Sequence, residues 1–135
     1  MSSFNPLSMH KPKFLSILGS QGFEYNKKND SAIMKFDISP DLTHSNGTIV
    51  QGGFITAMLD TSMAHLIILK SEGKLNSLSL NINVNFIYPG SPGEFNAVAQ
   101  ITKMGSKIAF AEAELFQNNK LIASATSTNK LVPFK

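Results

Sequence analysis

Between Gln51 and Lys70 the chain carries a segment whose apolar residues occupy nearly every side of a helix: Phe54, Ile55, Met58, Leu59, Met63, Leu66, Ile67, Ile68 and Leu69. A helix without a polar face has no surface to rest on, so other elements must wrap around it. The sequence supplies strands for that wrapping. Alternation bounded by turn residues predicts strands over about Leu75–Tyr88, Glu94–Met104, Lys107–Gln117 and Leu121–Val132, with turns at Pro89–Gly93, Gly105–Ser106 and Asn118–Asn119. Upstream, Gly22–Lys27 and Ser31–Ile38 read as a hairpin around Lys28-Asn29-Asp30, and Phe14, Ile17 and Leu18 fall at helical spacing in Lys13–Leu18. The polar stretch Ser39–Val50 reads as a loop delivering chain to the long helix.

With 135 residues there is room for one core and too little for two ordinary domains. The expectation is an α+β architecture, an antiparallel sheet of five to six strands curled around one long helix. It occupies a single domain over residues 1–135, of which 1–20 form a polar tail and a short first helix. In the first long strand, Leu78, Leu80, Ile82, Val84 and Phe86 alternate with Ser77, Ser79, Asn81, Asn83 and Asn85. That pattern sends the apolar set to the helix and the polar set outward. The polar set is uncharged, which suits a subunit interface or a ligand wall better than open surface.

Composition removes several functions. All 12 basic residues are lysine, none is arginine, and the net charge is only +3. Base readout and stacking lean on arginine, so nucleic acid is not an expected partner, whereas a lysine can still meet a phosphate on a small anionic ligand. Cysteine is absent, which excludes disulfides, thiolate catalysis and cysteine-based metal sites. His10, His44 and His65 are too far apart for a helical histidine pair, so no metal site is expected. Met1–His10 lacks the apolar core of a signal peptide, and no window reaches the ~20 apolar residues that span a bilayer. A cytoplasmic chain without a membrane partner is expected.

The residues that carry chemistry stand at the mouth of the long helix, in Val50-Gln51-Gly52-Gly53-Phe54-Ile55-Thr56-Ala57-Met58-Leu59-Asp60. Glycines at a helix start let a substrate approach backbone N–H groups that have no intrahelical partner, and such donors suit a developing oxyanion. Close packing would also explain the glycines, and a surface position would explain Asp60. The helical neighbours of Asp60, namely Thr56, Met63, Ala64 and Ile67, offer no lysine, however, and burial makes an idle charge costly. There is no G-x-S-x-G elbow and no dinucleotide or Walker glycine pattern.

Three segments together resemble the hotdog-fold acyl-CoA thioesterases, in particular the PaaI-like group with the phenylacetyl-CoA and 4-hydroxybenzoyl-CoA type enzymes. They are Gly47–Gly53 running into Ala57-Met58-Leu59-Asp60, then Ser79–Phe86 with Pro89, and finally Lys103–Lys107 with Ala109–Leu115. The resemblance implies a hotdog fold and a homodimer, or a homotetramer built as a dimer of dimers, with active sites at the subunit boundary. It implies hydrolysis of an acyl-CoA to free acid and CoA, with no cofactor because CoA is part of the substrate. Gly52 would supply the N–H that polarises the thioester carbonyl. Asp60, from the opposing subunit, would act as general base or nucleophile, with Ser79 as the strand hydroxyl that helps hold the water. Asn46 is the candidate upstream partner of carbonyl or water, although it lies five residues before Gln51 where the family usually has six.

Gln51 stands where many members have histidine. A glutamine orients groups and does not titrate. Gln51 and Gly53, with Lys103 and Lys107 toward the CoA phosphates, complete the candidate substrate-binding set. Two rival readings share the fold: an acyl-CoA binding or sensing module without catalysis, and a hydratase or dehydratase, for which His44 is the one loop histidine to hand.

Overall fold

The computed structural model describes residues 12–134. The polar tail and His10 of the sequence reading lie outside the described residues. The chain runs α1 (Lys13–Ile17), β1 (Ser20–Asn26), β2 (Ser31–Ile38), a single turn of 3-10 helix, β3 (Thr43–His44), β4 (Ile49–Val50), α2 (Gly52–Lys70), β5 (Leu75–Phe86), β6 (Gly93–Met104), β7 (Ile108–Gln117) and β8 (Lys120–Pro133). Six strands form one antiparallel sheet in the order β1-β2-β6-β7-β8-β5. The expected loop before α2 also contains the small β3–β4 hairpin, pairing Thr43 with Val50.

The sheet wraps α2 because its inner face is built from residues of complementary size. Ala97, Ala99, Ala109, Ala111, Ala113, Ala123 and Ala125 line the centre and are buried. Met58, Leu59, Met63, Leu66 and Ile67 of the helix, all 0% exposed, fill the room those short side chains leave. Phe36 and Phe95, paired across β2 and β6, are buried in the same core. By length and hydropathy alone α2 qualifies as a membrane span, contrary to the expectation that no window does. Here its apolar sides are taken up by the sheet instead. Met58, Leu59 and Met63 thus belong to the core and not to an open wall.

One strand departs from simple alternation, with consequences for the site. In the β5–β8 register Ser79 faces Asn129 and Asn81 faces Thr128, which leaves Leu80 without a partner. This bulge shifts the side-chain phase by one residue. Beyond it, Ile82, Val84 and Phe86 oppose the inward-facing Ser127, Ala125 and Ala123, as expected. Before it the faces are exchanged. Ser79 turns toward the helix, while Leu78 and Leu80, expected to pack on the helix, are 45% and 59% exposed.

Candidate active site

Helix α2 begins where the sequence places the glycines. Gln51 is its N-cap, with φ −65° and ψ 138°, and its side-chain Oε1 accepts a hydrogen bond from the Gly53 N–H at 2.7 Å. Gly53 makes that cap possible, because a Cβ there would lie 2.7 Å from the same oxygen. The N–H groups of Phe54 and Ile55 reach the Gln51 carbonyl at 2.9 and 3.3 Å. Of the first helical donors, only the Gly52 N–H finds no acceptor among the described residues. It is the position a helix leaves unpaired, at the positive end of the helix dipole. Gln51 therefore positions the helix mouth, and the Gly53 donor is already engaged.

A groove of about 320 Å³ opens beside Gly52, lined by Ile49, Val50, Gly52, Ile55 and residues 86–90. Phe86 is 61% exposed and forms one wall, its ring 3.3 Å from where a Cβ on Gly52 would stand. Lys120 places its ammonium 3.7 Å from the ring centre of Tyr88 at the rim.

Asp60 lies two turns further along α2. It shares the one strip of the helix that the sheet leaves partly open, with Gly52, Thr56, Ala57 and Ala64. The bulge in β5 turns Ser79 toward it, and the Ser79 hydroxyl donates to Asp60 Oδ1 at 2.6 Å. That distance is typical of a hydroxyl on a carboxylate. Behind Ser79 stands Asn129 of β8, buried at 1% exposure, with its Oδ1 3.4 Å from the Ser79 Oγ. Ser127 and Met63 continue the polar chain inward. The signal that places Asn129 inside is its parity with Ala123, Ala125 and Leu131 along β8.

The remaining candidates lie apart from this pair. Asn46 is exposed, in a left-handed conformation with φ 58° at the tip of the β3–β4 hairpin, next to Gly47 with φ 81°. Lys103 is on the outer sheet face opposite Phe110, and Lys107 is in the exposed turn into β7. Both belong to the sheet end where Met104, Ala109, Asn129 and Ser79 stand in line across four strands. His44 bonds its neighbour Ser45 at 2.9 Å, and His65 is buried with its Nδ1 2.9 Å from the Thr61 carbonyl. No group of three His, Asp or Glu side chains that could hold a metal gathers among the described residues.

Gly52 and Asp60 are eight residues apart, which at 1.5 Å per residue is about 12 Å along the axis. Groups acting on one carbonyl converge to roughly 3–3.5 Å, or one water further. Within one chain the free donor and the carboxylate thus address different places.

Comparison with known proteins places this geometry. The family model described as the thioesterase superfamily matches residues 47–123, a span that holds Gly52, Asp60 and Ser79. A phenylacetic acid degradation-related protein from Ralstonia eutropha JMP134 is 28% identical, with TM-score 0.82 over 88% of this chain and 89% of that one. A thioesterase from Haemophilus influenzae is 18% identical, with TM-score 0.85 over 98% and 93% of the two chains. The PaaI protein of the E. coli phenylacetic acid degradation operon is 17% identical, with TM-score 0.79 over 95% and 91%. The last two likenesses are of fold. No curated protein matches the sequence.

Proposed function

Because the chain belongs to the thioesterase superfamily and has its hotdog fold, we propose that it hydrolyses an acyl-CoA thioester to the free acid and CoA. The observation that carries the proposal is the Ser79–Asp60 hydrogen bond on a helix whose first N–H has no acceptor among the described residues. The Gly52 N–H of one chain donates to the thioester carbonyl oxygen and stabilises the negative charge that grows there. Asp60 of a second copy takes a proton from water as the water oxygen bonds to the carbonyl carbon. The C–S bond then breaks, and Asp60 returns the proton to the leaving sulfur. Ser79 holds the carboxylate in line. The reaction needs water and no metal or redox cofactor.

The roughly 12 Å between Gly52 and Asp60 supports a site completed by a partner copy. So does the place of β5 at the edge of the sheet, where its free N–H and C=O groups and the exposed Leu80, Phe86, Ile87 and Tyr88 are available to a second chain. A homodimer is the assembly we propose, with Lys103 and Lys107 as the contacts for CoA phosphates.

Thiol release from aromatic, short, medium and long acyl-CoAs tests the reading directly, since a chain without cysteine adds no background. Wild type is expected to turn over, and Asp60→Asn to lose roughly 10²–10⁴ in kcat while remaining folded. Near-full turnover in that variant would remove Asp60 from the mechanism. Binding of acyl-CoA by wild type without thiol release would make the protein a binding module.

A further inference from the structure

The polar chain behind Ser79 has no part in the reaction as written above. Asn129 is 1% exposed and faces the core beside Ser127 and Leu131. A buried amide is costly unless its groups are matched. Its Nδ2 lies 2.9 Å from the Ser127 Oγ and 3.4 Å from the Ala109 carbonyl oxygen. The carbonyl only accepts, and Ser127 directs its single proton to Met63 Sδ at 3.3 Å. Both neighbours therefore require the NH₂ end of the amide, which fixes its orientation. The amide oxygen is left facing Ser79, 3.4 Å from Oγ. Ser79 has one proton and two acceptors, and Asp60 at 2.6 Å holds it.

We infer that Asn129 is a positioning residue for hydrolysis, its Oδ1 being the second acceptor that lets the Ser79 hydroxyl turn when Asp60 takes up a proton. This rests on the thioester hydrolysis proposed above. With Asp60 as carboxylate, Ser79 donates to it and the Asn129 oxygen goes without a donor. When the attacking water gives its proton to Asp60, the carboxylic acid becomes a donor. Ser79 turns about its Cβ–Oγ bond, accepts from Asp60 and donates to Asn129. The buried amide oxygen is satisfied only in that state, so the network favours proton uptake over the ground state. When Asp60 passes the proton to the departing sulfur, the hydroxyl turns back, and the sum remains thioester plus water giving acid plus thiol.

Asn129→Leu removes the acceptor at similar volume. In thiol-release kinetics kcat should fall roughly tenfold with KM unchanged, the pattern of an interaction made beyond the ground state. Made in a Ser79→Ala chain, the same substitution should leave kcat where Ser79→Ala had put it, because no hydroxyl remains to turn. A loosened core would lower kcat in both backgrounds, and that additive outcome overturns the inference. So does an unchanged kcat in the single variant. If the leucine chain does not fold, Asn129→Ser, whose side chain ends short of Ser79, carries the same pair of comparisons. Failure of the underlying reading looks different: wild type then releases no thiol, or Asp60→Asn keeps its turnover.

Discussion

Gly52 can be tested by two substitutions of which only one keeps the N–H. Proline and alanine both add a Cβ at Gly52, where it would meet the Phe86 ring at 3.3 Å. That ring is 61% exposed and free to give way. Only proline also removes the N–H. The first helical position tolerates proline because its N–H has no intrahelical acceptor and its φ is already close to the proline value. Gln51 before it is extended, at ψ 138°, as a residue preceding proline must be. Gly52→Pro should therefore fold about as well as Gly52→Ala. The neighbouring Gly53 donor is held by the Gln51 side chain, so no second donor replaces the one lost. Removing one oxyanion donor costs roughly 10²–10³ in kcat, about 2.7–4 kcal/mol of barrier. In steady-state thiol release, with melting temperature as the folding control, proline should fall below alanine by that factor. Equal activity in two folded variants would refute the role of the Gly52 N–H.

Three further outcomes follow from the same structure. Burial holds the His65 pKa below its ordinary 6.5, against the opposing pull of the Thr61 carbonyl. The folded chain resists a proton that the unfolded chain accepts. Stability is therefore intact above pH 6.5 and declines as pH falls below it, by up to about 1.4 kcal/mol per pH unit until the folded value is passed. His65→Leu should flatten that part of a melting-temperature profile, and an unchanged slope would contradict the assignment. Gln51→Ala removes the cap on Gly53 and should cost about 1 kcal/mol in urea unfolding; no loss would mean that water caps the helix equally well. Charge reversal of Lys103 and Lys107 together should raise KM for acyl-CoA several-fold with kcat kept, and the effect should fade with salt. A salt-independent KM would place the phosphates elsewhere.

Much of the fold was legible because its signals are long. The all-round apolar helix required a wrapping sheet, and the turns at Gly105–Ser106 and Asn118–Asn119 divided that sheet as expected. The small inner residues of β6–β8 could not be assigned to a face from composition alone, since alanine fits either side of a sheet. The larger miss was the bulge at Leu80. A period of two has no term for an extra residue, so the reading turned Ser79 outward and Leu78 inward. At the site, the helix mouth and Asp60 were readable because the glycines and the lone carboxylate stand out against an apolar run. Asn129 was not, because its role depends on a partner fifty positions away, brought opposite by the β5–β8 register. Gln51 was readable as an orienting group, but only the structure shows that what it orients is Gly53.

The central claim is that a working site takes Gly52 from one chain and Asp60 from another. It is tested by a heterodimer with Gly52→Pro in one chain and Asp60→Asn in the other, isolated through two different affinity tags. Each parent homodimer is impaired at both sites. In the heterodimer one site collects both substitutions and the other collects none, so about half of wild-type thiol release per dimer should return. A heterodimer as inactive as its parents would show that each site lies within one chain, and would contradict the account.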